Sequence, residues 1–521
     1  GATLAGAVFW TVNLYWLTWI TLPGYFALAA YLTLYWLAAA AALAPAARGR
    51  LPLWLATPLV WTALEFARTY VISGFPWYFL AHTQYARTGL IQIADTTGQY
   101  GVTFFVALVN GAIADALSAW WRRRAGATVS RRQWVPGLAV AGVLLAGLLG
   151  YGAWRLGQRE TSDGPVIGLV QEALPNRLDG PNLPADEAFA LYARDSEALA
   201  SARCDAVAWS EAILRGVNPE FLAAAGTETL PKAMARYFLR PSLDAVPEAT
   251  LTKVWNDLRG EKTRQLQEIG QLAGNKLGCP IFVGAAAFRY DRDDNDWHEF
   301  NSVLLVGLNG QVTGEYDKVH PVPFSEYVPF RRSWPWLHGL CRSLVPPVMS
   351  SLEPGRDVRW FDLTGRDGRR TWRVATPICY EGTFDHVCRR LAVQDGRKRA
   401  DLLLNLSNDG WFVLPGPGAR PSTEHAQHLA HYCFRAVENR LPILRAANTG
   451  ISASIDSCGR IVKSLGYERG TFAAKVLVDA RTSLYSILGD AFASGVSALA
   501  AGSVILLLWR GRRGRDRVNA T

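Results

Sequence analysis

No charged side chain occurs in Gly1–Ala47; the first is Arg48. A run of 47 uncharged residues is foreign to a soluble domain, whereas a helix crossing a bilayer needs roughly 20 apolar residues. The run therefore predicts two spans, with Leu22-Pro23-Gly24 as the turn between them. Further candidates lie at Leu51–Ile72, Thr96–Leu117, Trp134–Trp154 and Ser486–Trp509, making six. The third carries Glu65 and Arg68, and charges inside a span face protein or water instead of lipid. The chain opens on Gly within an apolar segment and lacks the basic leader of a signal peptide, which predicts that native residues precede it.

The net charge of +10 has a topological reading. Arginines crowd three short connections: Arg48 and Arg50; Arg122, Arg123, Arg124, Arg131 and Arg132; and the C-terminal residues from Arg510 to Arg517. Short loops rich in Lys and Arg stay on the cytoplasmic side. With all three inside, the six spans alternate, and Ser73–Asp95 and everything between Trp154 and Ser486 lie outside. A nucleic-acid binder would gather its arginines on one folded face beside stacking aromatics, so no such partner is expected. The expected organisation is a helical transmembrane region over 1–157 with about five spans, an extracytoplasmic α/β domain over 164–482, a C-terminal span over 484–510 and a basic tail over 511–521.

From Pro165 to Asp479 short apolar strands alternate with amphipathic helices. Strands are expected at 166–171, 206–211, 281–288, 302–308, 371–380, 402–407, 442–448 and 452–456. Helices are expected at Asp186–Ala202, Leu251–Leu277, Phe384–Asp395 and Thr423–Asn439. Near-continuous apolar strands covered by helices make an α/β layered domain. The acidic run Asp291–Asp296 reads as a solvated hairpin tip, without the Asp/Asn-Gly alternation of a calcium loop. All seven cysteines fall in the outer segment, and no CxxC spacing points to zinc or a redox pair. His425, His428 and His431 stand three apart and drift around a helix surface, so no metal is expected.

Several strands end in residues unsuited to a core: Glu211, Cys379 with Glu381, and Asn408-Asp409. Polar residues at the carboxyl ends of strands are where α/β folds place a site. Three separated segments carry the chemistry. WSEAI supplies Glu211, YDKVHPVPFSEYVPF (316–330) supplies Lys318 and Glu326, and ATPICYEGTF (375–384) supplies Cys379. A thiol is a weak nucleophile until a base takes its proton or a cation lowers its pKa. Glu211 suits the base and Lys318 the cation that also holds an oxyanion, so the set fits acyl transfer through a thioester.

Together with LSNDGWF (406–412), these segments resemble the nitrilase, or carbon–nitrogen hydrolase, superfamily. WSEAI departs from that superfamily's pattern in having Ser210, not proline, before the acid. With GFPW (74–77) in an outer loop and helices on both sides, the chain resembles the membrane-bound apolipoprotein N-acyltransferase family. The resemblance implies a transmembrane helical bundle plus a nitrilase-like α-β-β-α sandwich, two further N-terminal helices, and a place in the bacterial inner membrane with the catalytic domain in the periplasm. It implies Glu211 as general base and acid, Lys318 as oxyanion stabiliser and Cys379 as nucleophile, with Glu326 and Glu381 as supporting acids and Tyr380 and Trp411 shaping the pocket. It also implies a phospholipid donor, typically phosphatidylethanolamine, a diacylglyceryl-cysteine apolipoprotein as acceptor, a monomer, and no cofactor. Long segments around Gly216–Gly260 and Val413–Ser422 depart from the pattern and put substrate preference in question. Two other readings stay open: an anchored amidase with water as acceptor, and a binding module without activity. The intact Glu211, Lys318 and Cys379 argue against the module. The helices argue against a soluble-amide substrate, as does the cluster Phe330, Trp334, Trp336 and Leu337 if it dips into the membrane interface and does not pack in the domain core or against Ser73–Tyr100.

Overall fold

A computed structural model of the chain describes residues 1–48, 51–158, 160–176, 182–223, 248–291, 296–331, 333–345, 352–414 and 420–519. Among these, three helices are long and apolar enough to cross a membrane, within Leu22–Ala47, Gln99–Arg124 and Val135–Gly157. The expected turn at Leu22-Pro23-Gly24 is instead a helix start, where Pro23 fits the first turn and Thr21 accepts a hydrogen bond from the Gly24 amide at 3.1 Å. The preceding helix, Ala2–Asn13, begins with the first residues of the chain and packs against Leu22–Ala47. The chain leaves it through a tight turn, Tyr15–Trp19, because Trp16 packs edge-on against Phe412 of the outer domain at 5.0 Å.

Leu53–Tyr70 carries Glu65 and Arg68, and both face protein, as the sequence requires. Glu65 accepts from Thr103 at 2.6 Å and from the indole of Trp61 at 2.9 Å, while Arg68 donates to the carbonyl of Trp77 at 2.7 Å. Ala491–Asn519 closes the bundle against Leu53–Tyr70, with its apolar part at Ala491–Leu506.

The outer domain is built from β1 (Thr161–Gln171), β2 (Ala206–Ala208), β3 (Leu214–Arg215), β4 (Ile281–Asp291), β5 (Asp296–Val306), β6 (Val312–Asp317), β7 (Phe361–Thr364), β8 (Thr371–Ala375), β9 (Val393–Gln394), β10 (Arg397–Lys398), β11 (Leu402–Ser407), β12 (Ile443–Ala447), β13 (Ser452–Ile455), β14 (Ile461–Leu465) and β15 (Gly470–Asp479). One sheet runs β15-β1-β2-β4-β5-β6, with β3 also on β4; the other runs β14-β13-β12-β11-β8-β7. Each has parallel pairs at its centre and antiparallel pairs at its flanks. Parallel centres need both faces covered, and they are. Ile167, Leu169 and Phe282 of the first sheet pack on Phe361, Leu363 and the β11 leucines of the second. The alternate face of the first sheet, with Val170, Val207 and Val283, is sealed by Phe189 and Tyr192 of Ala185–Ser196 and by Leu266 and Ile269 of Glu248–Gln271. Val387 and Leu391 of Asp385–Ala392 and Cys433 and Ala436 of Thr423–Asn439 seal the second. The result is the expected α-β-β-α sandwich, each fully buried Leu, Ile or Phe contributing roughly 1.5–3 kcal/mol.

The strands β3, β6, β7, β9, β10, β14 and β15 were not legible, and the segment expected to be one strand over 371–380 ends at Ala375. β4 and β5 form the expected hairpin with Asp291 opposite Asp296, its tip at 292–295 lying outside the described residues. The core of the segment around Gly216–Gly260, residues 224–247, and residues 415–419 of Val413–Ser422 also lie outside them. All seven cysteines are unpaired.

A buried ionic seam joins the sandwich to the bundle. Asp95 bonds Arg155 of Val135–Gly157 at 2.6 Å and Arg440, just after Thr423–Asn439, at 2.5 Å. Nearby the amide of Gln99 donates to Glu438 at 2.8 Å.

Candidate active site

Glu211 follows β2 by three residues, in a turn that lies tight against β4. The amide of Gly284 donates to the carbonyl of Ser210 at 3.2 Å, and a Cβ on Gly284 would stand 2.3 Å from that carbonyl and 2.5 Å from the Glu211 Cα. Only glycine lets the turn come this close. Ser210 fills the position before the acid with a purpose of its own, its hydroxyl 2.6 Å from the Tyr192 hydroxyl in the covering helix layer. Glu211 accepts from Asn301 of β5 at 2.7 Å and from the Asn408 amide after β11 at 2.9 Å.

Lys318 follows β6, with its amide bonded to the Asn301 carbonyl at 2.8 Å. Its ammonium is 3.2 Å from Glu211 and 2.9 Å from Glu326. Asn301 also reaches Glu326 at 3.1 Å, and the Val322 amide donates to Glu326 at 2.7 Å. Burial opposes the charge of Lys318, but the two carboxylates outweigh it and hold the ammonium well above its ordinary pKa. The cation is fixed as a cation.

Cys379 opens a single 3-10 turn, Cys379–Thr383, and is not the last residue of a strand. Its φ of 47° is a left-handed conformation that a side-chain-bearing residue adopts at a cost of order 1–3 kcal/mol. The Tyr432 hydroxyl donates to the Cys379 carbonyl at 2.8 Å, and Gly382 leaves the space for Tyr432, since a Cβ there would sit 2.2 Å from it. Burial pushes the thiol well above the ordinary cysteine value; the Glu211 carboxylate adds to this and Lys318 works against it. Both groups thus act on the sulfur, which rests as a neutral thiol.

Glu381 joins the two segments instead of entering the Lys318 cluster. One oxygen accepts the amides of Val319 at 2.6 Å and His320 at 3.1 Å, the other the amide of Ile378 at 2.7 Å, and the Tyr316 hydroxyl sits 3.1 Å from both. Burial raises its pKa to about 7, against the pull of these amides and Lys318. Tyr380 is buried, with its hydroxyl on the Gly74 carbonyl at 3.0 Å and its ring stacked near Trp77, so GFPW is docked directly behind the Cys379 turn. Trp411, on the turn Asp409–Phe412, remains exposed. So do Trp334 and Trp336 at Pro335–Leu344, with Phe330 stacked on Trp334 at 5.6 Å.

A second buried network, behind β11, joins Asp409 and His428, which the sequence offered only separately, to Ser407 and Arg445, which it did not offer. Ser407 donates to Asp409 at 2.8 Å; Arg445 of β12 bonds Asp409 at 2.5 Å and reaches Ser407 at 3.2 Å; His428 lies 3.2 Å from Asp409. Asp409 and Ser407 both act on the Cys379 thiol. The signal was the arginine inside the apolar strand PILRAAN. Asp409, Glu424 and His428 bring three ligand atoms within 4.8 Å of one another. The Arg445 guanidinium already supplies the cation there, at 2.5 Å from Asp409 and 3.1 Å from His428.

Residues 186–483 match the carbon–nitrogen hydrolase family and residues 1–112 match the apolipoprotein N-acyltransferase N-terminal domain. The chain is 29% identical to the apolipoprotein N-acyltransferase of Geobacter metallireducens over 96% of its length and 84% of the relative's. It is 28% identical to that of Rhodopirellula baltica, covering 97% and 87%. A crystal structure of an amidase from Nesterenkonia sp. aligns at 15% identity with a TM-score of 0.35, over 65% of this chain and 94% of the amidase.

Proposed function

For a chain that belongs to the carbon–nitrogen hydrolase family, we propose lipoprotein N-acylation through a thioester on Cys379. Glu211 takes the thiol proton as the sulfur attacks an ester carbonyl of a phospholipid such as phosphatidylethanolamine. Lys318 holds the oxyanion, in surroundings where a fixed cation is worth far more than in water. Collapse breaks the ester bond, Glu211 returns the proton to the departing glyceryl oxygen, and a lysophospholipid leaves. The α-amino group of a diacylglyceryl-cysteine then attacks the thioester, loses its proton to Glu211 and releases Cys379, which recovers that proton as a thiol.

The observation that carries this reading is the buried contact of Glu211 with Lys318 at 3.2 Å, both acting on the Cys379 sulfur from separate segments of the chain. Glu326 keeps Lys318 aimed, and Glu381 and Tyr380 fix the backbone on which Lys318 and Cys379 sit. The exposed Trp334, Trp336 and Trp411 offer apolar surface where acyl chains could enter from a bilayer. In this reading the chain works as a monomer in the bacterial inner membrane with its catalytic domain on the periplasmic side, an orientation that the arginine-rich short loops support.

The test is an acceptor assay with the full chain in detergent, phosphatidylethanolamine and a synthetic diacylglyceryl-cysteine peptide. One acyl mass should appear on the peptide's amino group, with one lysophospholipid per turnover. Free fatty acid in place of acylated peptide would assign the site to hydrolysis.

A further inference from the structure

The Gln99–Arg124 helix touches the catalytic domain at Gln99, and its other end meets the start of Val135–Gly157 across a basic loop. Between the two helices lies an apolar groove of about 470 Å³ whose walls include Ile113, Leu117, Trp120, Trp134 and Leu138, with Arg123 at its rim. Arg123 also bounds an adjoining open hollow formed by the backbone of 126–130. The trough and the hollow thus share one guanidinium, which also donates to the Val129 carbonyl at 2.7 Å.

Charge sharpens the picture. Arg122, Arg124, Arg131 and Arg132 lie within nine residues of Arg123 in sequence, and no acidic residue occurs between Asp115 and Glu160. Asp115 itself is engaged by the Trp54 amide at 3.0 Å. A second observation is independent of charge. The indole N–H of Trp134, in the groove wall, is buried and has no acceptor among the described residues. A buried donor left unpaired costs about 1–3 kcal/mol. Trp134 also precedes the 23-residue Val135–Gly157 helix, which has no side-chain cap and directs its positive dipole end to this corner. A bound species with an apolar arm, acceptor oxygens and negative charge answers all of these at once.

We propose that this corner is a non-catalytic binding site for a diacyl anionic phospholipid. One acyl chain lies in the groove, the phosphate in the hollow at Arg123 with Arg131 and Arg132, and an ester or phosphate oxygen accepts from Trp134. Basic clefts between spans recognise such headgroups by charge, at about fivefold in affinity per arginine. The site is remote from Cys379 and does not depend on which lipid donates an acyl chain there.

The experiment uses the full chain carrying Cys379→Ala, so that no acyl transfer can consume the lipid, and native mass spectrometry with phosphatidylglycerol or phosphatidylcholine at equal mole ratio. Phosphatidylglycerol should be retained at least tenfold better. Arg131→Gln with Arg132→Gln should reduce that preference more than tenfold, and Trp134→Phe should lower retention with the charge unchanged. A parallel thermal-unfolding series, in which phosphatidylglycerol should protect the parent more than the variants, gives the same comparison if a variant expresses poorly. Equal retention of the two lipids, variants that bind like the parent, or displacement of the lipid by millimolar inorganic phosphate would each overturn the proposal.

Discussion

Glu381 is the most informative single residue to change, because one atom swap separates its bracing role from charge. Glu381→Gln keeps size and shape. If the remaining oxygen serves Val319 and His320, the new NH2 faces the Ile378 amide, which now donates to Glu381 at 2.7 Å. Two donors then oppose each other next to Cys379. Losing a hydrogen bond to a charged acceptor costs roughly 1.5–3 kcal/mol, and stranding a buried amide about 1–3 more, so about 3 kcal/mol is expected. The chain escapes part of this by moving Ile378, which displaces the sulfur from Glu211 and Lys318. A displacement of about 1 Å is worth on the order of 100-fold in rate. The assay is single-turnover acylation of Cys379 at pH 8, above the Glu381 pKa of about 7, where the parent side chain is a carboxylate. Glu381→Gln should acylate about 100-fold more slowly while still binding phospholipid. Tyr316→Phe removes only a neutral donor to the same carboxylate, and should stay within about tenfold of the parent. A Gln variant within threefold of the parent, or a Phe variant equally damaged, would refute the bracing argument.

Lys318→Met should abolish acylation and also lower the unfolding temperature, because it strands the buried Glu211 and Glu326; breaking a buried pair costs about 3–5 kcal/mol. A variant that acylates at near-parental rate would remove Lys318 from the chemistry. Alkylation of resting Cys379 by iodoacetamide should keep rising from pH 7 to pH 9. Its pKa, raised well above the ordinary value, keeps the thiol mostly protonated across that range, so the thiolate fraction grows throughout. A plateau already reached at pH 7 would instead mean a resting thiolate–ammonium pair. Asp95→Asn should weaken both Arg155 and Arg440 contacts and lower thermal stability by about 3 kcal/mol, with acylation kinetics of the folded fraction unchanged. An unaltered melting profile would show the seam to be incidental.

Much of this was legible because the signals were local. LLLNLS matches β11 residue for residue, and the helix expected over Thr423–Asn439 has those bounds, with Ser422 accepting from the Glu424 amide at its start. Edge strands such as Ile461–Leu465 were missed because solvent-facing positions break the apolar pattern that marks a buried strand. The end of Ala2–Asn13 was not legible because composition cannot show that Trp16 turns aside to pack on Phe412. At the site, Glu211 declared itself as a polar residue ending an apolar strand, and Lys318 and Glu326 through the segment YDKVHPVPFSEYVPF. Asn301 did not, since a buried amide within a strand reads as an ordinary polar position until its partners are known. Glu381 was visible, but its office as a tie between two loops is a property of the amides it accepts, which only the fold brings together.

The central claim is that Cys379 carries the acyl chain. The full chain should be incubated with phosphatidylethanolamine and no acceptor, then its intact mass and proteolytic peptides measured. One acyl mass should appear on the peptide containing Cys379, be removed by neutral hydroxylamine as a thioester is, and be absent from Cys379→Ala. An acyl adduct that persists in Cys379→Ala, or no adduct on the parent protein while lipoprotein peptide is still acylated, would contradict it.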